Sequence, residues 1–154
     1  MDSFNAYLLL RSIRTYDLRI ENMVNNAEKV IDKLSKSEVV KEIYYPFKFN
    51  NADQKYFREK YNHYGSLITF LVDQDINLEQ NISKLQSTKM APSFGSVDTL
   101  IEIPKYMSKR QIEQKKEDAD FFECRVIDPR LVRLSVGCEP IKYILDDIDI
   151  LLSI

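Results

Sequence analysis

Apolar residues recur along this chain in two rhythms. Ile20, Met23, Val24, Ala27, Val30, Ile31 and Leu34 fall three and four apart, which places them on one face of a helix. The helical reading extends back to Phe4. The pattern therefore predicts one long N-terminal helix over Phe4–Leu34, kinked midway, with the Ser3 hydroxyl as its N-cap. The first half is denser than a single face requires, since Phe4, Tyr7, Leu8, Leu9, Leu10 and Ile13 leave little polar surface. Such a turn is expected to be covered on more than one side, in part by a partner. Alternation with period two marks Glu38–Tyr45 as a strand that Pro46 ends. Residues 50–63, polar with interleaved tyrosines, predict a short helix and a loop. Ser66–Val72 is a nearly continuous apolar run, the mark of a central strand. Leu78, Ile82 and Leu85 predict a helix, and Lys89–Ile103 one or two strands broken by the turn Pro92-Ser93-Phe94-Gly95. Ser108–Phe122 reads as a charged, solvated helix and Arg130–Val136 as a strand. The last helix starts at Glu139-Pro140, with proline at its first helical position and a buried stripe of Ile141, Ile144, Leu145, Ile148, Leu151 and Leu152. Helices and strands mixed without a repeat predict one α/β (α+β) domain over residues 1–154, a small mixed sheet with helices packed on it.

Composition narrows the function classes. The 154 residues are 44% hydrophobic and 30% charged, a globular balance rather than a disordered one. A net charge of -2 excludes a strong general attraction to nucleic acid or anionic membrane. No apolar run reaches the roughly 18 residues that span a bilayer. Tyr7–Leu10, closed by Arg11, is too short for a signal-peptide core. The expected location is the cytoplasm, with Cys124 and Cys138 as free thiols. Three glycines do not make a Gly-rich phosphate loop, and two cysteines with His63 do not make a Cys/His zinc site, so no metal is expected.

Few single residues carry chemistry. Arg133 stands inside the apolar strand Leu131-Val132-Arg133-Leu134-Ser135-Val136. It is either an outward-facing arginine or one aimed into a cleft, where its planar fork suits a carboxylate. Ser93 is either a turn-forming serine or a donor to a ligand. His63 has no serine or cysteine partner near it in sequence. Asp146, Asp147 and Asp149 read as a solvated helix face rather than a cation site, and the charges around Lys109 as a balanced surface helix.

In order along the chain, four stretches resemble the C-terminal domain of the cystathionine synthase and lyase family, the pyridoxal-phosphate enzymes of cysteine and methionine metabolism. They are Phe4-Asn5-Ala6-Tyr7-Leu8-Leu9-Leu10-Arg11-Ser12-Ile13-Arg14-Thr15, Tyr44-Tyr45-Pro46 with Gly65–Phe70, Ser93–Pro104, and Leu131–Gly137 with Glu139. The resemblance implies the small C-terminal domain of a fold-type I enzyme. It also implies that Arg133 grips the α-carboxylate of an amino-acid substrate and that Ser93 lines the same pocket. Ser96 stands where the family has a second glycine, and Ile103 where a histidine is common. The parts that hold pyridoxal phosphate lie, in the family, in a large preceding domain. The expectation is therefore that this chain holds no catalytic residue and no cofactor of its own and meets pyridoxal phosphate only through another domain or chain. Ser87-Thr88-Lys89 imitates the Schiff-base motif but lies downstream of the opening helix, where the family lysine lies upstream. The expected partners are a cofactor-binding domain or chain, with homo- or hetero-oligomerisation. The alternative is a stand-alone binding or assembly domain that kept the fold.

Overall fold

The fold is that of a computed structural model, which describes residues 2–46, 55–56, 59–106 and 127–154. The N-terminal pattern forms two helices rather than one kinked one, α1 (Ser3–Ile13) and α2 (Tyr16–Ser35). The break follows from side chains that compete for backbone: Ser12 Oγ donates to the Leu8 carbonyl at 2.9 Å, and Thr15 Oγ1 to the Ser12 carbonyl at 3.4 Å. Arg19 Nη1 then donates to that same Ser12 carbonyl at 2.9 Å. The cap of α1 is Asp2, not Ser3: its carboxylate accepts from the amides of Phe4 and Asn5, both at 3.0 Å. A carboxylate one residue earlier reaches these donors and carries the charge that a helix N-terminus favours.

Five strands follow, β1 (Val40–Tyr44), β2 (Leu67–Val72), β3 (Lys89–Met90), β4 (Leu100–Glu102) and β5 (Leu131–Ser135), with a short helix α3 (Leu78–Ile82) after β2 and α4 (Ile141–Leu151) at the end. The sheet order is β1-β2-β5-β4-β3, so Ser66–Val72 supplies an interior strand while β5 takes the middle. All neighbours are antiparallel except β3 and β4, which are parallel. The helix expected over Ser108–Phe122, most of that over 50–63, and Cys124 lie outside the described residues.

One sheet face is closed. Ile68, Phe70 and Val72 of β2, Val132 and Leu134 of β5 and Ile101 of β4 are buried with Ala27, Val30, Ile31 and Leu34 of α2 and Ile144, Ile148 and Leu151 of α4. The two helices thus cover one face with the stripes that their spacing announced. Tyr45, buried at the end of β1, donates its hydroxyl to the Gly65 carbonyl at 2.8 Å, and burial pushes its pKa up to about 12.

Two expectations at the last helix are corrected. Pro140 is its N-cap, with an extended ψ of 123°, and the helix starts at Ile141. Asp147 is not on a solvated face but 2% exposed. Its carboxylate accepts from the amides of Gln86 at 2.9 Å, Ser87 at 2.9 Å and Thr88 at 2.7 Å. Burial alone would raise its pKa, but these donors together hold the carboxyl below its ordinary value. Asn81 works in the same way at the other end of α4, donating to the carbonyls of Leu151 at 3.1 Å and Ser153 at 2.7 Å. Asp149 is exposed and pairs with Lys33 at 2.6 Å.

Candidate functional site

The second sheet face has no helix of the described residues across it, and the strand register fixes what it displays. Arg133 of β5 lies directly opposite Thr69 of β2 on one side and Glu102 of β4 on the other, and Thr69 lies opposite Tyr44 of β1. Residues paired across strands share a face, so Tyr44, Thr69, Arg133 and Glu102 form a row across the sheet. A parallel row holds Leu67, Ser135 and Leu100. A third holds Glu42, Leu71 and Leu131. Tyr44 and Leu67 are exposed, Leu71 and Leu131 half-buried. The face is thus largely apolar around the Arg133–Glu102 ion pair, with Glu42 opposite Leu71 and the Asp128–Arg130 pair at its border. An open cavity of about 440 Å³ lies on it, lined by Tyr44, Thr69, Leu71, Asp128 and Leu131.

Arg133 is half-buried and does not reach freely into solvent. Its Nη2 forms an ion pair with Oε2 of Glu102, whose residue is only 8% exposed. The Phe94 ring lies with its centroid 5.9 Å from the guanidinium carbon, the distance of a cation–π contact. Nε and Nη1 have no hydrogen-bond partner among the described residues, so part of the fork is open to a carboxylate.

Ser93 is exposed in the loop between β3 and β4. No hydrogen bond joins it to Arg133 among the described residues; the link between the two runs through the neighbouring Phe94. The loop is anchored on β5. Gly95, at φ +76°, donates its amide to Ser135 Oγ at 3.1 Å. That left-handed conformation is one a side chain would strain. The Cys138 amide donates to the Val97 carbonyl at 2.7 Å, and the Gly137 amide to Thr99 Oγ1 at 2.9 Å. Glu139 accepts from both the amide and the hydroxyl of Thr99, and Asn26 of α2 donates to the carbonyls of Gly137 and Glu139. This knot locks the Ser93 loop, the end of β5 and α2 together. At Gly137 a Cβ would stand 2.4 Å from the Val97 carbonyl oxygen and 2.5 Å from the Asp98 carbonyl carbon. Gly137→Ala is therefore expected to lower stability by about 2 kcal/mol through overpacking against backbone. Denaturant midpoints measure this, and a change below about 0.5 kcal/mol contradicts the close packing.

The remaining sequence candidates stand apart. His63 is exposed before β2. Cys138 is half-buried, and burial pushes its thiol pKa up, away from the reactive thiolate. Among the described residues no group of three His, Cys, Asp or Glu side chains could hold a metal ion, and no helix is long and apolar enough to cross a membrane. Thr69, Phe94 and Glu102 were not singled out from the sequence. The signal for Glu102 was present: Leu-Ile-Glu-Ile sets one charge in an apolar strand just as Leu-Val-Arg-Leu does.

A mixed five-stranded sheet backed by helices, with an arginine on its other face, has the fold of domains of fold-type I pyridoxal-phosphate enzymes. Superposition on the cystathionine gamma-lyase of Lactobacillus plantarum complexed with L-serine gives a TM-score of 0.76 at 31% identity, covering 94% of this chain and 36% of that one. The O-acetylhomoserine sulfhydrylase of Wolinella succinogenes shares the fold at a TM-score of 0.79 and 24% identity, covering 99% of this chain and 39% of that one. In sequence, the chain is 30% identical over 144 residues to the cystathionine beta-lyase of Lactococcus lactis subsp. cremoris strain MG1363, and 28% identical over 144 residues to the cystathionine gamma-lyase of Bacillus subtilis. Each alignment covers 94% of this chain and 37% of the relative. Residues 1–153 match the family described as Cys/Met metabolism PLP-dependent enzyme, and the chain belongs to that family. It spans little more than a third of the length of these relatives.

The family depends on pyridoxal phosphate, and the most suggestive local motif does not fit that group. The amides of Ser87 and Thr88, which could otherwise have met a phosphate, are taken by Asp147. Lys89 lies exposed on the edge strand β3, paired with Asp98 at 3.2 Å.

Proposed function

We propose that this chain is the C-terminal, substrate-side domain of a pyridoxal-phosphate-dependent enzyme acting on sulfur amino acids, and that a separate domain or chain of the same family carries the cofactor. Arg133 binds the amino acid's α-carboxylate and the Ser93 loop lines the same pocket, so the chain contributes grip and orientation while the cofactor supplies the electron sink. The observation that carries this reading is the placement of Arg133: it stands mid-sheet on the face that no described helix covers, with Nε and Nη1 unpartnered among the described residues. The chain's likeness to cystathionine and methionine lyases supports the substrate class.

The same reading accounts for α1. No residue of this helix is buried, and Phe4, Tyr7, Leu10 and Ile13 are each more than half exposed. Apolar surface of that extent on a helix is interaction surface. The cofactor-bearing partner or a second copy of this chain covers it, and the cytoplasm is where the complex works.

The test is reconstitution. The purified chain is mixed with cofactor-carrying chains of the family, followed by sedimentation, by Schiff-base absorbance and by turnover of cystathionine. A heavier complex and turnover that appear only on mixing are expected. Failure of every partner to restore turnover leaves the stand-alone binding domain, and turnover by the chain with pyridoxal phosphate alone overturns the division of labour.

A further inference from the structure

We propose that Glu102 and Phe94 are the positioning residues of the Arg133 site: the carboxylate pins one nitrogen of the guanidinium and the ring covers its face, so that the fork meets a ligand carboxylate in one fixed orientation. This rests on the reading of Arg133 as a carboxylate grip. An arginine on an open sheet face has long, freely rotating bonds, and holding it still costs conformational entropy at the moment of binding unless the protein has fixed it beforehand. Here it is fixed from two directions. Glu102 cannot follow the guanidinium away, because its backbone is locked opposite Arg133 in the β4–β5 ladder and its side chain is enclosed. Its buried Oε2 has no hydrogen-bond partner among the described residues, so the ion pair with Arg133 is its electrostatic support. Phe94 is held over the guanidinium by a loop that Gly95 ties to Ser135 of the same strand. Among the described residues both contacts leave Nε and Nη1 without partners.

The experiment follows the Arg133 side-chain Nε–Hε signal in the nitrogen-15-labelled chain, assigned by its loss in Arg133→Lys, with and without L-serine as the probe. In the unsubstituted protein the ligand-free signal is expected to be sharp and displaced from that of free arginine, and to move on titration with L-serine. Glu102→Ala is expected to collapse the signal toward that of free arginine and to weaken L-serine binding about tenfold, because the guanidinium must then be immobilised at the moment of binding. Glu102→Gln keeps the shape and dipole beside the guanidinium but removes the charge, and is expected to hold part of the displacement of the signal and to weaken binding by roughly half of that effect on a logarithmic scale. A merely space-filling Glu102 leaves signal and affinity unchanged in a folded Glu102→Ala protein, and a Glu102 that only competes for the fork makes binding tighter; either result overturns the proposal. If Glu102→Ala does not fold, Phe94→Leu on the exposed loop decides: the signal is expected to move and binding to weaken about threefold, and an unmoved signal overturns the clamp. Absence of any L-serine response in the unsubstituted chain overturns the amino-acid reading of Arg133, while the ligand-free signals still decide whether the clamp exists.

Discussion

Asp147→Ala is expected to lower the stability of this chain by about 3 kcal/mol, the scale of removing a charged acceptor from several enclosed donors. For a chain of this length that corresponds to roughly 6 to 12 °C in melting temperature. Three consecutive amides, those of Gln86, Ser87 and Thr88, end on one carboxylate that is itself 2% exposed. They belong to the segment that carries the chain from α3 into β3, so the loss also loosens the edge of the sheet that supports the Ser93 loop. The pH dependence has a definite sign. The folded-state pKa of Asp147 lies below the ordinary carboxylate value, because the amide donors outweigh burial. Its contribution is therefore complete above the unfolded value near 3.9 and is lost as pH falls through the lower folded value. The stability gap between the unsubstituted protein and Asp147→Ala is expected to be constant at neutral pH and to close only in acid. Asp147→Asn, which keeps one acceptor oxygen and cannot titrate, is expected to sit between them without that acid limb. Denaturant melts at several pH values measure all three proteins. A gap below about 0.5 kcal/mol at neutral pH contradicts the capping role.

That residue marks where sequence reading stopped. Periodicity found α2, α4 and the strands because their burial repeats at 3.6 or 2 residues, a signal written locally. Asp147 lies between Asp146 and Asp149 on a helix whose apolar stripe is already satisfied, and nothing local distinguishes the aspartate that turns inward. Its partners are backbone amides 59 to 61 residues away, brought to it by the packing of α4 beside the α3 segment. The break between α1 and α2 and the Asp2 cap were missed for a smaller reason: several short polar side chains compete for the same backbone groups, and which one wins is settled by geometry. Arg133 was visible as a charge inside an apolar strand, but spacing alone left it ambiguous until the family resemblance weighed in. Glu102 carried the same sign in β4. Its meaning became readable only when the register set the two charges directly opposite each other.

Together with the carboxylate grip proposed above, that juxtaposition would give Arg133 two separable duties, and substitution should separate them. Arg133→Ala leaves the Glu102 carboxylate enclosed without its cation, and breaking a buried pair from one side costs about 3 kcal/mol or more. Arg133→Lys returns a positive charge to the same strand position but not the planar fork. It is expected to keep stability within about 1 kcal/mol of the unsubstituted chain, since a point charge still answers Glu102. If reconstitution with a cofactor-bearing chain yields the proposed enzyme, the same Arg133→Lys substitution is expected to lower kcat/KM for cystathionine roughly a hundredfold, because a charge-assisted hydrogen bond from a fixed guanidinium to the α-carboxylate becomes one flexible contact. Melting and turnover measured on the same protein preparations read the two duties independently. Stability retained with activity lost is the expected pairing for lysine, and both lost for alanine. Should Arg133→Lys sustain turnover within a few-fold of the unsubstituted enzyme, the carboxylate is not held by the fork, and Arg133 serves the sheet as the counter-charge of Glu102 alone.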